Sequence, residues 1–451
     1  MNYSPISYFM FRKKFCTEEM KAVFEEEHYI QLMLKVEAEL ARAEGALGVI
    51  PVAAAEEITS KASIELINLH LVWEHLDKTG HFIVALTKEL QRICEKEHGQ
   101  YVHFGATTQD IIDTGQVLRI KEACSILERD IRSIKGNLIE IALKYKGTPM
   151  AGRTHVDHAV PLTFGFKCAV WLDEMNRHMD RWEEMKKRLF VGNITGAVGT
   201  FASFGSENGM DVQKKALDAL GLETPRICWH AARDRFGEFT GLVALIAGSL
   251  AKIANEVRTL MRPEIGEIEE PIQEGKVGSS TMPHKRNPTN CEEIIAIAKL
   301  VRNLHGGMLE AMGTEHERDA SNWRVEYIVL PEICLLMSAV LRNAVHLTKM
   351  LVVHPERMLK NLEISKGLIV SEAVMFKLAE KMGKQDAHDI LYRCSMKAHA
   401  QGVSLLESLI QDERVMKQFK RSELEEVLKP DIYVGMSEKI VEMTINRGNS
   451  I

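Results

Sequence analysis

Residues Thr17–Gly48 read TEEMKAVFEEEHYIQLMLKVEAELARAEGALG. Thr17 stands ahead of Glu18 and Glu19, a hydroxyl that caps a helix followed by two carboxylates that suit its positive end. Leu32, Leu34, Val36, Leu40 and Ala43 then recur at helical spacing, and Gly48 and Pro51 close the run. The pattern predicts a helix from Thr17 to Gly48. The same period fills most of the chain. No proline occurs between Pro51 and Pro149 or between Pro161 and Pro225. Long stretches with little proline and helical apolar spacing predict further helices over about 110–146, 161–190, 237–261, 289–313 and 326–353. Period-two alternation is nearly absent, so the fold class reads as all-α.

Several of these helices exceed the usual length and must pack lengthwise against each other, as in a bundle. Leu242–Ala251 is apolar on more than one face, which calls for neighbours all round, inside one domain or between subunits. A chain of 451 residues is long for one core, and two or three domains are expected. No internal repeat or low-complexity segment is present.

Hydrophobic residues make up 45% and charged residues 27%, ordinary for a soluble globular protein. The net charge of −6 gives no general pull toward nucleic acid or an anionic membrane, so an anionic ligand needs a local basic site. No basic stripe with interleaved aromatics points to nucleic acid. No apolar run is read as reaching the roughly 20 residues of a membrane span. The apolar patch Ile6–Phe11 precedes its basic residues, the wrong order for a signal peptide. The eight cysteines are scattered without a Cys-x-x-Cys pair, as buried free thiols would be. A cytoplasmic location is the expectation.

Four stretches carry chemistry. Gly278–Pro288 reads Gly-Ser-Ser-Thr-Met-Pro-His-Lys-Arg-Asn-Pro. It suits a loop that closes an anion under a base, against the plainer reading of a basic surface turn. The second is Gly152-Arg153-Thr154-His155. His155-x-x-His158 also has the helical spacing of metal ligands, the weaker reading, and no metal is expected. The third is His103-Phe104-Gly105-Ala106-Thr107-Thr108-Gln109-Asp110, whose hydroxyls precede a helix N-terminus that favours an anion. There Thr108 or Asp110 also serves as a cap. The fourth, Gly192–Thr200, is glycine-rich but lacks a strand–turn–helix context, so no dinucleotide cofactor is expected.

Taken together, these motifs resemble those of the fumarase/aspartase lyase superfamily, nearest the branch holding adenylosuccinate lyase and 3-carboxy-cis,cis-muconate cycloisomerase. The resemblance extends over nearly the whole chain. It implies fumarate release from a succinyl-type polycarboxylate by β-elimination, with no cofactor. It also implies three helical domains, 1–109, a central long-helix bundle at 110–354, and 355–451, within a homotetramer whose active sites are shared between subunits. β-Elimination needs a base for a weakly acidic C–H, partners for the doubly charged carboxylate, and an acid for the leaving group. By resemblance Ser279 is the base, a role that needs a neighbouring lysine and amide donors to favour the alkoxide. Lys285 and Asn287 hold the developing charge. His155 is the acid, oriented by Glu292. His81, His103, Thr107, Thr108, Thr154, Ser280, Arg318 and Arg324 bind substrate.

The substrate is less determined. Adenylosuccinate lyases grip the nucleotide phosphate with an Arg-Tyr pair, and here Lys14 and Phe15 stand in its place. Their later arginine is replaced by Tyr327, and a serine by Trp323. Losing a guanidinium fork at a phosphate site is not conservative, although Arg324 is a neighbouring substitute. An adenylosuccinate lyase-type carbon–nitrogen lyase of purine biosynthesis is the first reading. A carboxymuconate-type cycloisomerase, or a lyase acting on a non-nucleotide N-succinyl compound, is the alternative. A non-catalytic helical scaffold would be expected to lack Ser279, His155, Lys285 or Glu292, and all four are present.

Overall fold

The computed structural model describes residues 8–11, 13–205, 208–271, 281–282 and 284–449. The fold is all-α, interrupted by two short antiparallel strand pairs. Thr17 caps the first helix as expected, its hydroxyl accepting from the Met20 amide at 3.2 Å. That helix stops at Val23, however, and a second runs Glu26–Ala46. The break falls at Glu25, which is extended and followed by Glu26 and Glu27 in a new first turn. Three consecutive carboxylates favour a fresh N-terminus over a helix interior.

The predicted long helices appear as Thr108–Lys144, Phe164–Leu189, Asp234–Leu260, Thr289–Glu310 and Ala320–Lys349. The last begins earlier than its apolar period suggested and carries Pro331 inside it. It ends short of residue 353 because Val352 and Val353 pair with Glu269 and Ile268. The helix predicted from 161 starts only at Phe164. Ahead of it lies a β-hairpin, Pro149–Thr154 with Asp157–Thr163, which the sequence reading missed. Two short strands with a bulge between Ala151 and Arg153 and a proline at 161 leave no clean alternation to detect. Gly152 sits in that bulge, where a Cβ would lie 2.4 Å from the Val160 carbonyl oxygen. His155-x-x-His158 therefore does not lie on a helix.

By internal contacts the chain divides into two compact units. The first comprises Met1–Ile131, His178–Leu250 and Ala296–Arg342. Its core centres on fully buried Trp182, Trp229, Phe236 and Phe239, with Trp229 edge-on to Phe236 at 5.8 Å. Each such ring contributes on the order of 2–3 kcal/mol by leaving water. The second unit comprises Arg132–Arg177, Ala251–Ile295 and Asn343–Ile451. One of its cores, near the C-terminus, gathers Val374, Leu378, Ile390, Leu405, Leu409 and Phe419.

Two helices, Asp234–Leu260 and Ala320–Lys349, are by length and composition apolar enough to cross a membrane, contrary to the sequence expectation. Most of the apolar stretch of each is buried within the protein, as in core helices. All eight cysteines are free; seven are buried, and Cys228 is only half-buried.

Candidate active site

The first unit builds its polar centre where the chain enters the Thr108–Lys144 helix. His103 has a φ of 61° and Gly105 a φ of 72°, so the entry loop turns through left-handed backbone. A Cβ on Gly105 would lie 2.8 Å from the Phe204 ring, which leaves glycine as the residue that fits. His103 Nδ1 lies 2.7 Å from Glu37 Oε1, and Glu37 is buried. Burial opposes a charge on His103, but the Glu37 carboxylate outweighs it and holds the imidazole above its ordinary range. Nδ1 is committed to Glu37, so Nε2 is the atom left to donate to an anion.

Asp110 ties this loop down from below. One carboxylate oxygen accepts from the amides of Thr107 (3.0 Å) and Gly196 (2.9 Å). The other accepts from the Thr195 amide at 3.0 Å and lies 3.0 Å from His230 Nε2. Asp110 is thus both the expected cap and the anchor of the glycine-rich stretch Gly192–Thr200. Arg318 Nη1 donates to the Thr107 hydroxyl at 3.2 Å, which brings two of the proposed substrate-binding residues together. Thr108 begins the helix beside them and is half-buried. His81, at the N-cap of the Phe82–Ile93 helix, is exposed and bonds locally to Thr79 among the described residues.

Behind the loop a buried guanidinium locks three helices. Arg233 forks onto Asp113 with two bonds of 2.9 Å and donates from Nε to Glu326 at 2.7 Å. Burial pushes the Glu326 carboxyl up even against the pull of Arg233. A buried pair of this kind is a poor source of net stability but costly to break, so it fixes geometry. On the next turns Trp323 and Tyr327 meet edge-on at 5.2 Å, and the Arg324 guanidinium lies 5.9 Å from the Trp323 ring. Burial drives the Tyr327 hydroxyl above its ordinary range, so it offers no charge to a phosphate.

The second unit carries the other motifs. Thr154 pairs with Asp157, and His155 and Val156 form the two-residue turn between them. Their φ values are 50° and 70°, left-handed for two non-glycine residues, each costing about 1–2 kcal/mol. Thr154, His155 and Val156 are exposed at the tip. The hairpin is braced from behind: Arg153 forks onto buried Glu267 at 2.9 and 2.7 Å, and Glu267 also accepts from Asn361 at 2.8 Å. Strain at an exposed histidine, held by a buried ion pair, points to a functional turn.

Ser279 and Ser280 lie outside the described residues. Of the remaining signature, Lys285 is exposed and its amide closes a turn on the Met282 carbonyl at 3.0 Å. Arg286 donates to Glu269 at 2.7 Å, and His354 lies 2.9 Å from the other oxygen of that carboxylate. Asn287 is half-buried just before the Thr289–Glu310 helix. Glu270 caps this helix, accepting from the amides of Asn290 (2.8 Å) and Cys291 (2.9 Å). Glu292 is exposed in the first turn. Within the chain it makes no hydrogen bond or ion pair with His155.

A lyase family profile covers residues 12–302, and a profile described as the adenylosuccinate lyase C-terminus covers residues 367–444. The chain belongs to the fumarase/aspartase lyase superfamily. This superfamily lyase is 42% identical over 98% of its length to N-acetyl-S-(2-succino)cysteine lyase of Dickeya dadantii, covering 96% of that protein. It is also 42% identical over 99% of its length to adenylosuccinate lyase of Methanocaldococcus jannaschii, again covering 96%. Among solved structures it resembles 3-carboxy-cis,cis-muconate lactonizing enzyme from Pseudomonas putida, with a TM-score of 0.91 and 34% identity over 98% of this chain and 99% of that one.

Sequence reasoning missed Glu37, His230 and the Arg233–Asp113–Glu326 lock. Glu37 left one trace, a carboxylate whose helical neighbours Met33, Leu34, Leu40 and Ala41 are all apolar. The pairing within the lock left none, because its members are far apart in sequence.

Proposed function

We propose that this lyase releases fumarate from a small succinyl compound, first a 2-succino thioether whose leaving group is not a nucleotide and second an N-succinyl amine. One observation carries the reading. At the place of the phosphate-gripping arginine of adenylosuccinate lyases stands Tyr327, packed edge-on to Trp323. An aromatic pair suits an acyl or aliphatic leaving group and offers a phosphate little. The likeness to N-acetyl-S-(2-succino)cysteine lyase supports a sulfur leaving group. The equal likeness to adenylosuccinate lyase supports the second reading, with AMP as the amine.

In this scheme Ser279 takes a proton from the methylene beside one carboxylate. Lys285, Asn287 and Thr108 hold the charge that spreads onto that carboxylate. The carbon–heteroatom bond on the neighbouring carbon then breaks, and His155, oriented by Glu292, protonates the departing atom. His103, Thr107, Thr154, Ser280, Arg318, Arg324 and His81 complete the anion site. The three motifs meet from different subunits of a homotetramer. The test is fumarate release from N-acetyl-S-(2-succino)cysteine and from adenylosuccinate, side by side. Faster turnover of the thioether is expected, and Ser279→Ala should abolish it. Faster turnover of adenylosuccinate would establish the second reading. Fumarate from neither would move the assignment to the cycloisomerase.

A further inference from the structure

Of the eight cysteines, Cys228 alone escapes full burial. It lies in the first unit, on the segment that leads to Trp229 and His230. His230 is 2% exposed, and its Nε2 lies 3.0 Å from Asp110, itself fully buried. The opposite ring nitrogen, Nδ1, makes no hydrogen bond of normal geometry although it is buried. The Cys228 thiol interacts with this imidazole. Asn193 Nδ2 approaches the sulfur at 3.9 Å, and Gly199 packs so close that a Cβ there would lie 2.8 Å from it. The sulfur therefore stands between the glycine-rich stretch and a carboxylate–imidazole pair. Asp110 in turn holds Thr107, so one carboxylate links the histidine beside the thiol to the loop that is proposed to bind a substrate carboxylate.

We propose that Cys228 is a site of covalent modification by α,β-unsaturated dicarboxylates, with fumarate itself the natural reagent. Burial raises the thiol, but bonding to His230 and Thr195 more than offsets this and brings it below the ordinary range. His230 is charged in this arrangement: burial opposes its proton, yet Asp110 and Cys228 push it up to about 9. An imidazolium beside a sulfur favours the thiolate, the nucleophilic form.

The chemistry balances without an oxidant. The thiolate forms a carbon–sulfur bond to one alkene carbon. The π pair moves to the other carbon, is stabilised by its carboxylate, and takes a proton from His230 Nδ1, which solvent replaces. The product is a 2-succinocysteine side chain, the linkage that the proposed thioether reaction breaks in reverse. This inference rests on that reading only for the claim that fumarate is produced beside the thiol.

The test uses the folded native enzyme and added fumarate, followed by digestion and peptide mass spectrometry. Cys228 should gain the mass of one fumarate while the seven buried cysteines remain unmodified, and it should react faster than in the chemically unfolded chain. His230→Gln should slow the addition about tenfold or more. Equal rates in folded and unfolded chains, earlier reaction at a buried cysteine, or an unchanged rate in His230→Gln would overturn the proposal. The folded-against-unfolded comparison needs no variant and stands if His230→Gln fails to fold. Because fumarate is added directly, a protein that forms the adduct but releases no fumarate would refute the lyase assignment and leave this site standing. A turning-over enzyme with unreactive Cys228 would do the opposite.

Discussion

At the scale of single residues, a buried carboxylate sets the charge of a histidine in the entry loop. His103 is tuned by Glu37, a residue the sequence gives little reason to choose. Glu37→Gln removes the carboxylate that holds the imidazole above its ordinary range. Burial, which opposes the charge, then dominates, and His103 should give up its proton more readily. The expected result is a KM for the dianionic substrate raised several-fold, about tenfold for each pKa unit lost, with kcat changed far less. Lowering the pH should recover the wild-type KM, whereas an unchanged KM at neutral pH would remove His103 from the anion site. His155 allows a sharper test, since the proposed acid matters in proportion to the basicity of the leaving group. A thiolate leaves with a conjugate acid near 8.5, an amine nitrogen only once protonated. His155→Gln should therefore slow release from an N-succinyl amine by about 10²–10⁴-fold and from a thioether much less. Equal losses for both substrates would mean that His155 binds or positions instead.

Among the elements, the long helices were legible because each repeats its apolar period over many turns, a period strong enough to carry Pro331 in one of them, and a boundary error of a few residues does not change the reading. What escaped was short or non-local. The break at Glu25 is decided by three carboxylates and not by a glycine or proline. The hairpin at Pro149–Thr163 hides behind its bulge and Pro161, so its seven-residue strand reads as the start of the helix that follows. The motif Gly152-Arg153-Thr154-His155 stood out by its resemblance, but its placement on a strained turn was not legible, because Val156 is a poor residue for left-handed backbone. That misfit makes a test. Val156 is 98% exposed, so its side chain gains nothing by burial. Val156→Asn, which tolerates a φ of 70°, should stabilise the protein by about 1 kcal/mol in a denaturant titration while keeping His155 in place. A destabilised variant would mean that the valine has a packing partner in the assembled enzyme.

For the whole molecule, buried titratable groups set how stability follows pH. His230 is pushed up to about 9 by Asp110 and Cys228 against the opposing effect of burial. Burial, with Glu37 nearby, pushes the Glu44 carboxyl up to about 9 as well. Both bind protons more tightly folded than unfolded, so each contribution is complete below the unfolded value and is lost as the pH rises through the folded one. For His230 that window runs from roughly 6.5 to about 9 and is worth on the order of 3 kcal/mol at most. Melting temperature should fall steadily across it, and a flat profile would contradict the assigned charge on His230. Assembly gives the last test. Leu245, Leu300, Leu309 and Ile328, on three long helices, leave half or more of their apolar side chains exposed or nearly so. The proposed homotetramer would cover such residues and would account for His155 and Glu292 making no contact within one chain. Leu245→Glu should then shift the particle to smaller species in light scattering, with loss of fumarate release. Mixing two inactive proteins separates assembly from mere folding. Subunits carrying Ser279→Ala and subunits carrying His155→Gln, exchanged into hybrids, should regain part of the wild-type rate, because some sites then draw both intact residues from different chains. Hybrids that form and stay inactive would mean that Ser279 and His155 serve the same site from one subunit.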